Sequence, residues 1–320
     1  WVSPPYNVDG WRLDVAADLG RSNEYNHDFW KKFRTAVKDA NPSALILAEH
    51  YGDPSDWLKG DEWDTVMNYD AFMEPVTWFL TGMQKHSDDF RGNMLGNADS
   101  FLQAMRYHMA SFTTPSLQIA MNELSNHDHS RFLTRTNHMV GRTNTLGPEA
   151  AEAGVNKAVL REAVVIQMTW PGAPTLYYGD EAGLCGWTDP DNRRTYPWGR
   201  EDQNLIQYHR DIIAIHKEEE ALMKGSLKYL YGGFKVLGYG RFTDTEKMVV
   251  LINSGFDEAR VKVSVWEVGV TDDEEMVEVI MSNEEGYTME KKVHPVTSGV
   301  LDITLPRVSA ILLKAVEIEK

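Results

Sequence analysis

Four short stretches carry side chains that could do chemistry. In Asp9-Gly10-Trp11-Arg12-Leu13-Asp14-Val15-Ala16, a strand would put Gly10, Arg12 and Asp14 on one face and Trp11, Leu13 and Val15 on the other. An arginine two residues from an aspartate on the same face keeps that carboxylate ionised and fixes its direction. That suits a nucleophile displayed at a strand end; it equally suits a structural ion pair. Leu45-Ile46-Leu47-Ala48-Glu49-His50 is an apolar strand ending in a carboxylic acid. Apolar neighbours disfavour the charged form, so Glu49 is expected to titrate above Asp14 and to serve as a general acid, unless it is only a solvated strand end. Ser125-Asn126-His127-Asp128 sets polar groups in a row that could comb the hydroxyls of a sugar, or form an Asx-rich turn. Trp170 to Glu181 runs from an apolar segment into a glycine-flanked turn and the acidic pair Asp180-Glu181. By itself it reads as a structural corner or half of a metal site. His127 and His129 lack a third ligand at a recognisable spacing for zinc, and no glycine-rich phosphate loop or Gly-x-Ser-x-Gly elbow is present.

The elements that must position these groups fall into two regimes. Up to about Gly225, short apolar strands alternate with longer amphipathic segments. Strands are expected at Gly10 to Val15, Leu45 to Glu49, Thr65 to Tyr69, Ile119 to Leu124 and Pro174 to Tyr178. Helices are expected in the gaps, most clearly at His27 to Asp39, Asn156 to Thr169 and Gln203 to Lys217. Such alternation implies a parallel sheet. Beyond Gly225 the pattern changes to period two. Met248 to Ile252, Val261 to Val265, Met276 to Met281, Leu301 to Leu305 and Ala310 to Leu313 read as strands without helices between them. That implies an antiparallel β-sandwich domain over residues 225–320, after an α/β region over residues 1–224. The polar segment Thr136 to Gly154 reads as a long loop.

Bulk properties narrow the partners. The 320 residues are 42% hydrophobic and 25% charged, a globular composition. The net charge of −16 would repel a nucleic-acid backbone but not a neutral ligand. Cys185 is the single cysteine, so no intrachain disulfide can form. No apolar run is long enough to span a membrane. The chain opens on Trp1-Val2-Ser3 with neither Met nor a signal peptide, and is expected to continue a longer protein, whose cellular address is not readable here.

Taken in order, the four stretches resemble the conserved regions of the α-amylase superfamily of retaining glycoside hydrolases. Asp-Gly-Trp-Arg-Leu-Asp-Val-Ala resembles the fourth strand of that family's (β/α)8 barrel, whose aspartate is the nucleophile, here Asp14. Glu49 matches the fifth-strand general acid/base, and Asn126-His127-Asp128 the seventh-strand motif whose aspartate stabilises the transition state. Thr65 to Tyr69 fits the sixth strand and Gly172 to Glu181 the eighth. Asp189-Pro190-Asp191-Asn192-Arg193-Arg194 and Tyr196-Pro197-Trp198 are similar to a stretch of the neopullulanase, cyclomaltodextrinase and amylopullulanase members.

The resemblance implies retaining hydrolysis of α-glucosidic bonds in starch, maltodextrin, pullulan or cyclodextrin. Transglycosylation at the same site and a non-catalytic glucan-binding role stay open. Arg12, Asn126 and His127 would bind or orient substrate, with Tyr69, Tyr178, Trp187 and Trp198 as candidate sugar platforms. No cofactor is needed for that chemistry. Calcium is common in the family, but its ligands cannot be assigned in this sequence. The family's third-strand Asn-His motif is absent, and five strands rather than eight can be placed. The expectation is a partial TIM (β/α)8 barrel, strands four to eight, followed by an antiparallel all-β sandwich. Such a piece is expected to self-associate through Trp11, Leu13, Phe29, Trp30 and Phe33, and alone to hydrolyse starch negligibly.

Overall fold

The computed structural model describes residues 1–318. Its first part is built on five short parallel strands: β1 (Gly10–Leu13), β2 (Leu45–Ala48), β3 (Thr65–Val66), β4 (Met121–Glu123) and β5 (Ala173–Thr175). β1 pairs with β2, β2 with β3, and β4 with β5, all parallel. A parallel bridge between Met67 and Met121 joins the two groups, so the strands follow chain order around an arc. The five expected strands are all present, each shorter than expected because pairing stops where the chain turns toward the site. A Cβ on Gly10 would stand 2.3 Å from the Leu45 carbonyl oxygen, so only glycine lets β1 come this close to β2.

Helices cover one side of the arc. α1 (Asn23–Ala40) starts where the Ser22 side chain accepts the Tyr25 amide at 3.2 Å, and stops before Asn41-Pro42. It buries Trp30 and Val37 against Leu13, Ala16, Ile46 and Trp63. Asn26 ties α1 to the chain after β1 by donating to the carbonyls of Ala16, Ala17 and Leu19. Of the apolar set expected to drive self-association, Leu13 and Trp30 are therefore buried within the chain, and only Phe29 is exposed. Between β2 and β3 the expected helix is replaced by turns. Pro54 and the Asp53 and Asp56 side chains favour turn conformations there.

After β3 come α2 (Glu74–Thr81), α3 (Ala98–Met109) and α4 (Thr114–Gln118). After β4 come α5 (Phe132–Arg135), α6 (Thr143–Leu146) and α7 (Lys157–Thr169), and after β5 come α8 (Gln203–Glu218) and α9 (Glu220–Lys224). The expected loop at Thr136 to Gly154 thus contains one four-residue helical turn, α6, and a 3-10 turn. α7 is buried nearly all round, because α2, α8 and the second sheet all pack on it.

The described chain from Ser226 onward is β apart from one 3-10 turn, Val265–Val268. Strands β6 (Ser226–Gly233), β7 (Val236–Phe242), β8 (Lys247–Asn253), β9 (Ala259–Val263), β10 (Glu274–Asn283), β11 (Gly286–Thr288), β12 (Val293–Thr297), β13 (Val300–Leu305) and β14 (Ser309–Glu317) pair antiparallel. β12 pairs with both β10 and β13, and β13 packs across onto β8 and β14, so the ladder folds over on itself. The enclosed face holds Val249, Leu251, Val263, Leu301, Ile303 and Leu313. The outer face of β7, β8 and β14 packs Leu237, Tyr239, Val250, Ile252 and Leu312 into the same core as α7 and α8. One apolar core therefore runs from the helices into the second sheet, and holds the two layers together.

Candidate active site

The C-terminal ends of the parallel strands converge on a group of charged side chains. β1 delivers Arg12 and, one residue past its end, Asp14; β2 delivers Glu49 one residue past its own end. The register pairs Arg12 with Leu47 and Leu13 with Ala48, which sets the two strand ends side by side. Arg12 joins the carboxyls: its Nη1 contacts Asp14 Oδ1 and its Nη2 lies 3.0 Å from Glu49 Oε2. The Val15 amide also donates to Glu49 Oε2, at 3.0 Å. Glu49 is thus buried but not in the apolar setting that the strand composition suggested. Its partners come from β1, which strand-local reading does not include. Asp14 is open to solvent, and the Arg12 hydrogen bond and charge hold its carboxyl below the usual carboxylate range.

The loop after β4 supplies the third group. Asn126 Oδ1 accepts the amides of Asp128, at 2.9 Å, and His129, at 3.0 Å. Its Nδ2 donates to Glu123 Oε1 at 2.6 Å. Asn126 is buried, so the comb expected to face a sugar reduces to His127 and Asp128; Asn126 is committed to the protein. His127 Nε2 lies 3.5 Å from Asp128 Oδ2, and Arg193 Nη2 lies 3.6 Å from Asp128 Oδ1. Arg193 also reaches the His127 carbonyl at 2.9 Å and Asp189 at 2.9 Å. Thr188 Oγ1 donates to the Asp128 carbonyl at 2.5 Å. The stretch Asp189 to Arg194 therefore pins the Asp128 loop from outside. The Tyr51 hydroxyl lies 3.2 Å from His129 Nε2, and Asn126 Nδ2 donates at 3.3 Å to the hydroxyl of Tyr69, so the loop after β4 meets the chain that follows β2 and β3 at one site.

The aromatic expectations divide. Tyr69 is 1% exposed and is corrected as a platform. Its ring lies under Tyr51, with centroids 4.3 Å apart and planes 8° from parallel. Tyr51, not singled out from the sequence, is 43% exposed, and the Lys85 ammonium lies over its ring, 4.2 Å from the centroid. Its position two residues after Glu49 was the available signal. Trp187 is fully buried and donates its indole N–H to the Gly147 carbonyl at 2.9 Å, so it is structural. Tyr178 is exposed and donates its hydroxyl to the Arg194 carbonyl at 2.8 Å. Trp198 is 80% exposed beside Tyr196.

A buried ion pair backs the site. Arg131 donates to Asp180 Oδ1 at 2.8 Å, to the Tyr178 carbonyl at 2.8 Å and to the Asn192 carbonyl at 3.0 Å. It thereby joins the loops that follow β4 and β5. Of the acidic pair, Asp180 is accordingly half of this clamp, whereas Glu181 accepts the Gly179 amide at 2.9 Å. Among the described residues, no group of three or more His, Cys, Asp or Glu side chains is placed to hold a metal ion. Among the same residues, no helix is long and apolar enough to cross a membrane.

Known proteins resemble the chain over this same framework. The model of the α-amylase catalytic domain matches residues 1–286. An amylopullulanase of Thermoanaerobacter thermohydrosulfuricus is 38% identical over 248 residues, covering 75% of this chain and 16% of that protein. A cyclomaltodextrinase of Thermoanaerobacter pseudethanolicus is 36% identical over 256 residues, covering 79% of this chain and 38% of the other. Neopullulanase 2 of Thermoactinomyces vulgaris is 34% identical over 266 residues, covering 82% and 40%. Among solved structures, the native debranching enzyme of Nostoc punctiforme superposes with a TM-score of 0.76 at 28% identity, over 96% of this chain and 58% of that one. The chain spans less than half the length of these curated relatives. The fold is accordingly a partial (β/α)8 barrel followed by an all-β domain, and the chain belongs to the α-amylase family.

Proposed function

We propose that the chain is the catalytic part of a retaining glycoside hydrolase acting on α-linked glucans. The observation that carries this reading is the single Arg12 guanidinium contacting both Asp14 and Glu49 at adjacent strand ends, with the loop of Asp128 tied to the chain after Glu49 through His129 and Tyr51. Parallel barrels display catalytic groups at this end of their strands. The names of the relatives, amylopullulanase, cyclomaltodextrinase and neopullulanase, support an α-glucan as the substrate class.

In this reading Asp14, kept ionised by Arg12, attacks the anomeric carbon and forms a β-glycosyl-enzyme. Glu49 in its acid form gives its proton to the leaving glycosidic oxygen. Then, as carboxylate, it takes a proton from water, which attacks the same carbon and frees Asp14. Two inversions give retention. Asp128 and His127 hold ring hydroxyls and tighten as positive charge develops on the sugar. Tyr178 and Trp198 offer exposed aromatic faces to neighbouring glucose units. Maltodextrin hydrolysis by the full-length protein, followed by proton NMR of the new reducing end, tests the reading. It predicts the α-anomer first, and a fall of at least about a thousandfold in Asp14→Asn. Initial release of the β-anomer, or an active Asp14→Asn protein, would overturn it.

A further inference from the structure

One carboxyl inside the barrel has no part in that mechanism. Glu123 ends β4 and is 1% exposed. By strand alternation it shares its face with Met121, which packs beside Leu47, Met67 and Tyr69. An acid in such a place carries a large desolvation cost unless it does something there. Its bonded partner is Asn126, through Nδ2 at 2.6 Å.

The four contacts of the Asn126 amide define one orientation. Its oxygen takes the two backbone amides of Asp128 and His129. Its nitrogen gives to Glu123 and, at 3.3 Å, to the Tyr69 hydroxyl. Turned over, the amide would set its NH2 against the two backbone N–H donors. The two backbone donors therefore fix its orientation, and Glu123 holds the nitrogen end. The backbone amide of Asp128 is held by this side chain.

We propose that Glu123 is a positioning residue for the reaction described above: from inside the barrel it locks the Asn126 amide, and through it the backbone of Asp128. The proposal rests on the glycosidase reading, since it takes Asp128 as the group to be aimed. Glu123 itself touches no substrate. The charged groups that act on it are Arg12 from β1, Asp128 in its own loop, Asp180 after β5 and Arg135 on α5. Tyr69 and Tyr51 also face it. Burial outweighs Asn126 and Arg12 and lifts the carboxyl to about 8, so near neutral pH it is a neutral acid whose carbonyl oxygen accepts. A glutamine can make the same contact, whereas an apolar side chain of similar length cannot.

The test uses Glu123→Gln and Glu123→Met in the full-length protein, with kinetics on maltodextrin near pH 6.5 and crystal structures of both variants. Glu123→Met is expected to lower kcat by at least about tenfold with KM within about twofold, because aim rather than binding is lost. Glu123→Gln is expected to keep kcat within about twofold of the parent. The structure of Glu123→Met should show the Asn126 amide turned or the Asp128 carboxylate displaced by at least about 0.5 Å. Unchanged kcat in Glu123→Met, or equal loss in both variants, overturns the proposal. Should Glu123→Met fail to fold, Glu123→Gln decides: its side-chain oxygen must meet Asn126 Nδ2, and a glutamine turned away with Asn126 unmoved overturns the proposal. If the parent cleaves no α-glucan, the glycosidase reading fails, while the crystal structures still decide whether Glu123 holds Asn126 and Asp128.

Discussion

Replacing Arg131 by methionine should be among the most damaging single changes to the chain. Arg131 is fully buried and makes hydrogen bonds to Asp180, the Tyr178 carbonyl and the Asn192 carbonyl. It also lies over the rings of Tyr177 and Tyr178, at 4.4 and 5.0 Å from their centroids. Methionine keeps part of the volume but leaves Asp180 buried without its cation. Burial already pushes the Asp180 carboxyl up even with Arg131 beside it. Removing one partner of a buried pair typically costs about 3–5 kcal/mol, because the remaining charge is uncompensated. The two freed carbonyls add to that cost. Removing both charges, as Arg131→Met with Asp180→Leu, should recover a large part, since the desolvation of two ions disappears with them. Urea unfolding of the parent, both single variants and the double variant gives the cycle. A loss in Arg131→Met below about 1 kcal/mol would refute the reasoning, as would a double variant with no recovery relative to Arg131→Met. The first result would mean that the pair is solvated, the second that packing alone sets the cost.

Three smaller predictions follow from the same structure. Burial lifts Glu123 from 4.5 to about 8, so between those values the folded chain keeps a proton that the unfolded chain has lost. Its contribution is fully present below about 4.5 and lost as pH rises through about 8, at most on the order of 5 kcal/mol at 1.36 kcal/mol per unit. Glu123→Gln should therefore gain stability relative to the parent as pH rises from 5 to 8.5, and a constant difference in urea midpoint would contradict this. Trp198→Ala should raise KM for maltodextrin by roughly tenfold while leaving kcat nearly unchanged, since it removes an exposed stacking face; steady-state kinetics would expose an unaffected KM. Cys185 is buried and burial pushes its thiol to about 11, so iodoacetamide at pH 7.5 should label it only as fast as the chain opens. Rapid labelling of the native protein, read by mass spectrometry, would refute that placement.

The acidic strand ends were legible because each closes a strand pattern, Trp11 and Leu13 alternating with Arg12 before Asp14, or the apolar run Leu45 to Ala48 before Glu49. Strands with one wet face were legible too. β13 alternates buried and exposed residues along Leu301-Asp302-Ile303-Thr304-Leu305, and β10 follows the same rhythm. β7 escaped that reading because both its faces are covered and two of its seven residues, Gly238 and Gly240, are glycine. Facts that depend on long-range partners were not legible. Nothing near Tyr69 announces that Tyr51 covers it, and nothing near Asn126 says that its amide turns inward to Glu123. Likewise, Glu49 follows an apolar strand, yet its bonding partners are Arg12 on β1 and the amide of Val15, two residues past β1. Sequence periodicity reports the environment of a strand face; side-chain direction past a strand end is set by whichever loop arrives there.

The central claim is that Asp14 attacks the sugar. A 5-fluoro-α-maltosyl fluoride forms its glycosyl-enzyme faster than it is released, so it marks the nucleophile covalently. The full-length protein would be inactivated with it, digested, and its peptides sequenced by mass spectrometry. The account predicts one added glycosyl group, on the peptide Arg12-Leu13-Asp14-Val15 and its neighbours, with the ester at Asp14. A label on Glu49, Asp128 or any other carboxylate would contradict it, and so would turnover of the reagent by an Asp14→Asn protein at the parent rate.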